Sequence, residues 1–369
     1  VLRLVERTGR WPGGLTLNQV AMLHKGGTAD PEDRRPIVLL PVVYRIWAAV
    51  GARTFRAWLV RCGILQAEGP SRAADALAYS LALELEEAGV EGEVVAGLAL
   101  DWSKCYDRLS LGYLDRVAEA ARVPDRLRGP MMCAYRAPRR ILCDGLAGDL
   151  REPTHGLTPG CPAATDWLAL VMTSWITRVR GEPIGASARA YVDDIVGWVR
   201  GEGCVETVQE IVAVSQMFSR DTGLVLHEIK SCRFAARRED AEALMLLPGP
   251  RVSEQFRDVG VRQVLDPGSR ADRSDRDVAA TDKLGRIAVV PVGFRKRANL
   301  VGASGVPTLT FGMAAHPTPE ADLAILRSDV KAALTRGATQ ASTEAVFGVL
   351  GLSHRVDPLF HAVVGPWVM

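Results

Sequence analysis

Two adjacent aspartates, Asp193 and Asp194, interrupt a stretch that otherwise reads as two short strands, Ala188–Val192 and Ile195–Val199. β-prone runs joined by only two turn-tolerant residues predict a tight hairpin, with both carboxylates at its tip. Upstream, the short, apolar, valine-containing run Glu93–Asp101 reads as a buried strand that also ends on an aspartate. Acids at the ends of neighbouring strands suit two-metal phosphoryl transfer, because divalent cations roughly 4 Å apart need carboxylates converging from separate elements. Asp-Asp is equally ordinary turn chemistry, and an aspartate closing a strand is an ordinary cap. Context decides between the two readings.

Apolar residues recur at helical intervals over Pro41–Val60, Asp75–Ala88, Leu111–Ala121, Ala164–Val179 and Val205–Thr222. Strands are predicted at Arg139–Asp144 and Leu224–Ala235, giving an α+β pattern of helices packed on one sheet. Trp167 and Trp175 fall at helical spacing and are predicted core, not a base-stacking platform. Asp266–Asp282, with five acidic residues and three arginines, reads as a linker, beyond which the pattern is mostly helical.

Hydrophobic residues make up 48% of the 369 and charged ones 24%, a composition that folds and that rules out wholesale disorder. The longest apolar stretch, Ile37–Ala52, contains Pro41 and Arg45, so nothing approaches the roughly 18 uncharged residues of a membrane helix, and a soluble chain is expected. Charged residues close behind Val1 leave no apolar core of a signal peptide, and the chain reads as a piece of something longer. Seven cysteines, odd in number and nowhere spaced as CxxC, argue against a disulfide framework or a structural zinc site and for a reducing compartment, nuclear or cytoplasmic. The six histidines have no zinc-ligand spacing either. Net charge is only +2, but Val1–Cys62 carries ten Lys or Arg against four Asp or Glu, enough for that segment to face phosphates or simply solvent.

Further residues join the aspartates in a recognisable order. Tyr191-Val192-Asp193-Asp194 resembles the YxDD box of reverse transcriptases, and Asp101-Trp102-Ser103-Lys104-Cys105-Tyr106-Asp107 resembles their first acidic motif, D-x-x-K-A-F-D. Between them, Gly156-Leu157-Thr158-Pro159-Gly160-Cys161-Pro162 is similar to the G-L-P-Q-G-S-P loop, with Thr158 and Pro159 in place of the usual Pro and Gln. His24-Lys25-Gly26-Gly27 and Arg35-Pro36-Ile37-Val38-Leu39-Leu40 resemble boxes of the non-LTR retrotransposon enzymes, as do 66–77 and the 223–230 segment ending in Lys230. Asp258-Val259-Gly260-Val261 is a poor copy of their Y-L-G-V box.

The resemblance implies a right-handed polymerase with an antiparallel palm sheet packed on helices. Residues 1–100 would be mainly fingers, 101–265 palm with a fingers insertion around 115–155, and 266–369 a linker and mainly helical thumb or connection. It implies RNA-directed DNA synthesis with two Mg²⁺, replaceable by Mn²⁺, held by Asp101 and Asp193 with the Trp102 carbonyl and supported by Asp194. Lys25 and Arg35 would clamp the triphosphate, Gly160 would contact the dNTP, Tyr106 would face its sugar and exclude a 2′-hydroxyl, and Lys230 would protonate the pyrophosphate. The implied partners are an RNA template, a DNA primer and dNTPs, with endonuclease or ribonuclease H domains open outside this chain. A catalytically inactive nucleic-acid-binding remnant and an RNA-dependent RNA polymerase are the alternatives; Tyr106 weighs against the second.

Overall fold

The computed structural model describes residues 1–24, 34–64, 70–265, 273–313, 315, 318–337, 340, 342–349 and 356–368. From the amino terminus the elements run α1 (Leu2–Thr8), β1 (Asn18–His24), β2 (Arg34–Leu39), α2 (Val42–Arg61), α3 (Pro70–Glu91), β3 (Val95–Leu100), β4 (Trp102–Ser103) and α4 (Cys105–Arg108). Next come α5 (Leu111–Ala120), α6 (Asp125–Tyr135), β5 (Arg139–Cys143), β6 (Leu146–Arg151), α7 (Ala164–Arg180), β7 (Ser187–Tyr191), β8 (Asp194–Arg200) and α8 (Cys204–Thr222). The remainder is β9 (Val225–Leu226), β10 (Cys232–Ala235), α9 (Arg238–Met245), β11 (Gln255–Asp258), β12 (Val261–Val264), α10 (Ser274–Val289), α11 (Phe294–Leu300), α12 (Val306–Thr310), α13 (Glu320–Thr335) and α14 (Pro358–Val368). The chain is therefore α+β, and it divides into two compact units: 1–67, 96–233 and 238–252 in one, 68–95, 234–237 and 253–369 in the other.

In the first unit the long helix α7 is apolar on most of its circumference, and an element of that kind is stable only when surrounded. Trp167, Leu168, Val171, Met172 and Trp175 are all buried. Phe55 of α2 packs on Trp167 with ring centroids 4.7 Å apart, and the Trp175 indole N–H donates to Ser215 of α8 at 2.9 Å. Both tryptophans are core, as their spacing predicted.

Helices do not share a single sheet. Two four-stranded sheets, ordered β2-β1-β5-β6 and β10-β3-β8-β7, accompany the pairs β11–β12 and β4–β9. The difference arises because β1 pairs with β5 in parallel, a long-range contact that leaves no local sequence signal. The predicted strand Leu224–Ala235 is likewise two short strands, since at 227–231 the His227 carbonyl accepts from the amides of both Lys230 and Ser231 and closes a turn. None of the seven cysteines forms a disulfide among the described residues.

The second unit is largely helical, with Leu284, Val301, Leu309, Val330, Leu334 and Phe347 at its centre. Helix α10 takes in the latter half of the predicted linker: Asp275 and Asp277 fall in its first turn, where negative charge suits the helix dipole. Residues 266–272 lie outside the described residues. Among the described residues no helix is long and apolar enough to cross a membrane.

Two glycines separate packing from propensity. A Cβ on Gly129 of α6 would stand 2.9 Å from the Cα of Gly9, whereas one on Gly112 of α5 would meet nothing nearer than 3.7 Å. Gly112→Ala should stabilise by about 0.5–1 kcal/mol through helix propensity. Gly129→Ala, for which overpacking of about 1–3 kcal/mol outweighs the same gain, should destabilise. Urea unfolding of the two variants checks the opposite signs.

Candidate active site

The sheet order sets β3 beside β8, and the charge of Asp101, the residue that follows β3, acts on Asp193 in the turn that precedes β8. Strand β3 is buried at all six positions, as the apolar run 95–100 requires. Asp101 follows it and is half-buried. Its main chain is held by Ser231, a fully buried residue whose hydroxyl accepts from the Asp101 amide at 3.1 Å and donates to the Asp101 carbonyl at 3.2 Å. The His227 amide donates to the same carbonyl at 2.9 Å.

The hairpin differs from its sequence reading by one residue. β7 and β8 pair with Tyr191 opposite Asp194, so the two-residue turn is Val192-Asp193 and Asp194 is the first residue of β8. Two-residue hairpins require positive φ, and here Val192 supplies it at 61°, a strained conformation for a β-branched side chain. Asp-Asp would be the better turn by composition, but a slip of one residue would turn every side chain of the buried strand β8 to its other face.

The Asp193 carboxyl feels the charge of Asp101. Burial pushes its pKa above the ordinary carboxylate value, the negative charge of Asp101 pushes it further, and its own amide and Lys230 pull the other way. The buried Cys105 thiol is pushed far up, first by burial and then by Asp193, Asp101 and Asp107, which places it against the same acids. Lys230 Nζ lies 3.4 Å from Asp101 Oδ2 in an exposed ion pair, a geometry worth little to stability.

Tyr106 also lies near Asp193. Its half-buried phenol is raised first by burial and also by Asp193, while its hydroxyl lies 3.3 Å from Thr165 Oγ1 in the first turn of α7. The Tyr106 carbonyl accepts from Leu157 at 2.7 Å, which ties it to the 156–163 loop. That loop is fixed to β2 by main chain, the Pro159 carbonyl accepting from Val38 at 3.0 Å, a contact indifferent to the side chain at 159. At Gly160, φ is 101° and a Cβ would come within 3.2 Å of the Val38 carbonyl oxygen, so glycine suits it on both counts. Beside Thr165, buried Asp166 receives Arg56 Nε and Nη2 on one oxygen at 3.0 and 2.8 Å, joining α7 to α2.

The site thus brings together Asp101, Asp193, Lys230 and Tyr106. Arg35 is exposed on β2, and Lys25 lies outside the described residues. Trp102 sits opposite Leu226 in the β4–β9 pair. Because the 101–227 and 103–225 positions flank it, its carbonyl points away from β9 and is not used by that pairing. Ser231 and Thr165 carry no sequence signal, since a small polar residue beside a strand or in a helix reads the same whatever it holds.

Among the described residues no group of three or more His, Cys, Asp or Glu side chains is placed to hold a metal. Mg²⁺ does not need one: it binds through one or two carboxylates, water and substrate phosphates. Two hard oxygen donors, one of them desolvated and repelled by the other, fit that requirement, because a divalent cation would relieve the repulsion.

No protein-family model matches the chain, and no curated protein does. Among solved structures it is similar to apo telomerase from Candida tropicalis truncated from its C-terminal domain, at 12% identity and TM-score 0.48, over 71% of this chain and 56% of that one. It is similar also to telomerase from Candida tropicalis in complex with the TWJ fragment of telomeric RNA, at 10% identity and TM-score 0.49, over 92% and 64%. A third is apo telomerase from the same organism, at 12% identity and TM-score 0.46, over 93% and 65%. The chain therefore spans less than two thirds of the length of each.

A carboxyl whose folded pKa is raised favours folding of its protonated form. Asp193 therefore adds no penalty below its unfolded value near 3.8 and destabilises as the pH rises through the higher folded value. Asp193→Asn should accordingly melt above the wild type at pH 7, and the difference should fade as the pH falls toward 3.8. Added Mg²⁺ should raise the melting temperature of the wild type and leave that of the variant unmoved.

Proposed function

We propose that this chain is an RNA-directed DNA polymerase, adding deoxynucleotides to a primer 3′-hydroxyl on an RNA template. The observation that carries the reading is the approach of Asp101 to Asp193, two motif aspartates 92 positions apart, with Tyr106 and Lys230 beside them. An inactive nucleic-acid-binding remnant would have no need of a carboxylate pair that costs stability. The source proposed is a non-LTR retrotransposon polyprotein, with endonuclease or ribonuclease H domains outside this chain, acting in the nucleus or cytoplasm.

Asp101 and Asp193 would hold the metals, with the Trp102 carbonyl as a third oxygen and Asp194 in support. Two bound Mg²⁺, or Mn²⁺ in their place, supply the Lewis acidity that activates the 3′-hydroxyl and neutralises charge on the leaving pyrophosphate. Lys230, paired with Asp101 at 3.4 Å, would hand a proton to a leaving phosphate oxygen. Tyr106, whose main chain is held by Leu157 and whose hydroxyl meets Thr165, would set its ring against the sugar and exclude a 2′-hydroxyl by volume. Lys25 and Arg35 would clamp the triphosphate, and Gly160 would let the loop backbone come close to the nucleotide.

Primer extension on an RNA template, with Mg²⁺ or Mn²⁺ and with dNTPs or rNTPs, tests the reading. Extension with dNTPs is expected, and Asp193→Asn should abolish it while template–primer binding persists. Tyr106→Ala should raise the rNTP to dNTP ratio of kcat/KM at least about tenfold, each factor of ten being about 1.4 kcal/mol of transition-state discrimination. Preference for rNTPs by the unaltered enzyme would instead identify an RNA polymerase, and no extension under any of these conditions would leave a nucleic-acid-binding remnant.

A further inference from the structure

A cleft of about 330 Å³ lies between one face of the β2-β1-β5-β6 sheet and the turn that follows Asp101. Strand register explains its lining: Met22 lies opposite Pro36, Val20 beside Ile141, and Arg139 opposite Arg151, so alternation along the strands turns these side chains to a common face. Arg34 joins them, while Arg35, its neighbour in β2, takes the opposite face. Lys104 and Asp107 complete the lining.

The charge is one-sided. Among the described residues that line the cleft, Arg34, Lys104, Arg139 and Arg151 meet one carboxylate, Asp107. Arg34 is paired outside the lining, with Asp144 Oδ2 at 2.8 Å. Arg139 Nη2 donates to the Tyr135 and Gly156 carbonyls at 3.2 and 2.7 Å, which carry no charge, and burial holds its guanidinium below the ordinary pKa. Among the described residues the Nε–H groups of Arg34 and Arg139 are buried without a hydrogen-bond partner. Guanidinium N–H groups buried without an acceptor beside a concavity lined mainly by basic side chains make an anion site, and planar guanidinium forks suit phosphate oxygens. Met22, Pro36 and Ile141 add an apolar wall. Small-molecule pockets start at about 300 Å³, so the cleft is large for a lone ion and sufficient for a mononucleotide.

We propose that this cleft binds the phosphate groups of a small polyphosphate, inorganic or carried on a nucleoside, at a site separate from the Asp101–Asp193 pair. The binding stands independently of the polymerase reading, because it needs neither metal nor template.

Calorimetric titration of the full chain in metal-free buffer with pyrophosphate, tripolyphosphate and dTTP tests it. Saturable binding is expected, weakened about tenfold or more by Arg151→Glu, at a position exposed at the end of β6. Arg140→Glu makes the same charge change on an exposed residue of the opposite face of β5 and should leave the affinity within about twofold. Arg151→Gln, which keeps the side chain's length, should also weaken binding and carries the test if the Glu variant fails to fold. Asp193→Asn should bind as the wild type does, so loss of extension and loss of cleft binding are separable. Tighter binding of dTTP than of tripolyphosphate, weakened by Ile141→Asp, would identify the nucleotide as the ligand; equal affinity would identify inorganic polyphosphate. Absence of saturable binding, equal weakening by Arg140→Glu, or loss of binding in Asp193→Asn would overturn the proposal.

Discussion

Two carboxylates held together in a half-buried place repel each other, and the surroundings of Asp101 and Asp193 act to keep them there regardless. Strand β3 is buried along its length, so Asp101 cannot retreat without unpacking the sheet. One buried hydroxyl, that of Ser231, closes the amide and the carbonyl of Asp101 together. On the other side the hairpin tolerates a valine at positive φ to hold Asp193 in its register. Repulsion, strain and lost hydration are costs met by core packing elsewhere, a distribution expected of sites that act on charged ligands.

Much of this was legible in the sequence, and the failures are physical. The long helices were plain from periodicity because α2, α7 and α8 each repeat the apolar spacing over several turns. Ordered motifs singled out Asp101, Asp193, Tyr106 and Lys230, which the fold brings to one place. The turn was misplaced by one residue because local propensity favours Asp-Asp, whereas burial of β8 sets the register. The second sheet and the break between β9 and β10 depend on contacts across long stretches of chain. Nothing about Ser231, Thr165 or Arg139 taken singly distinguishes them from ordinary residues of their type; their partners are 130, 59 and 17 positions away.

Opposite charges are sorted over a short distance in sequence. Asp101 belongs to the carboxylate pair, and Lys104, three residues later, belongs to the cation-lined cleft. A left-handed backbone at Lys104, with φ of 52°, turns the chain between them. Charges of opposite sign so close along the chain neutralise each other at long range, which is why a net charge of +2 conceals both.

The first eleven residues look dispensable in composition, being short, charged and outside every motif. The structure gives them another standing. Val5 is buried, Glu6 accepts from the Trp47 indole at 3.0 Å, and Trp11 packs edge-on against Tyr44 and Trp47 with centroids 5.4 and 5.5 Å away. Gly9 meets α6 backbone to backbone. Removal of residues 1–11 would uncover an aromatic cluster on α2 and leave a sticky, aggregation-prone surface on the same helix that carries Arg56 to Asp166.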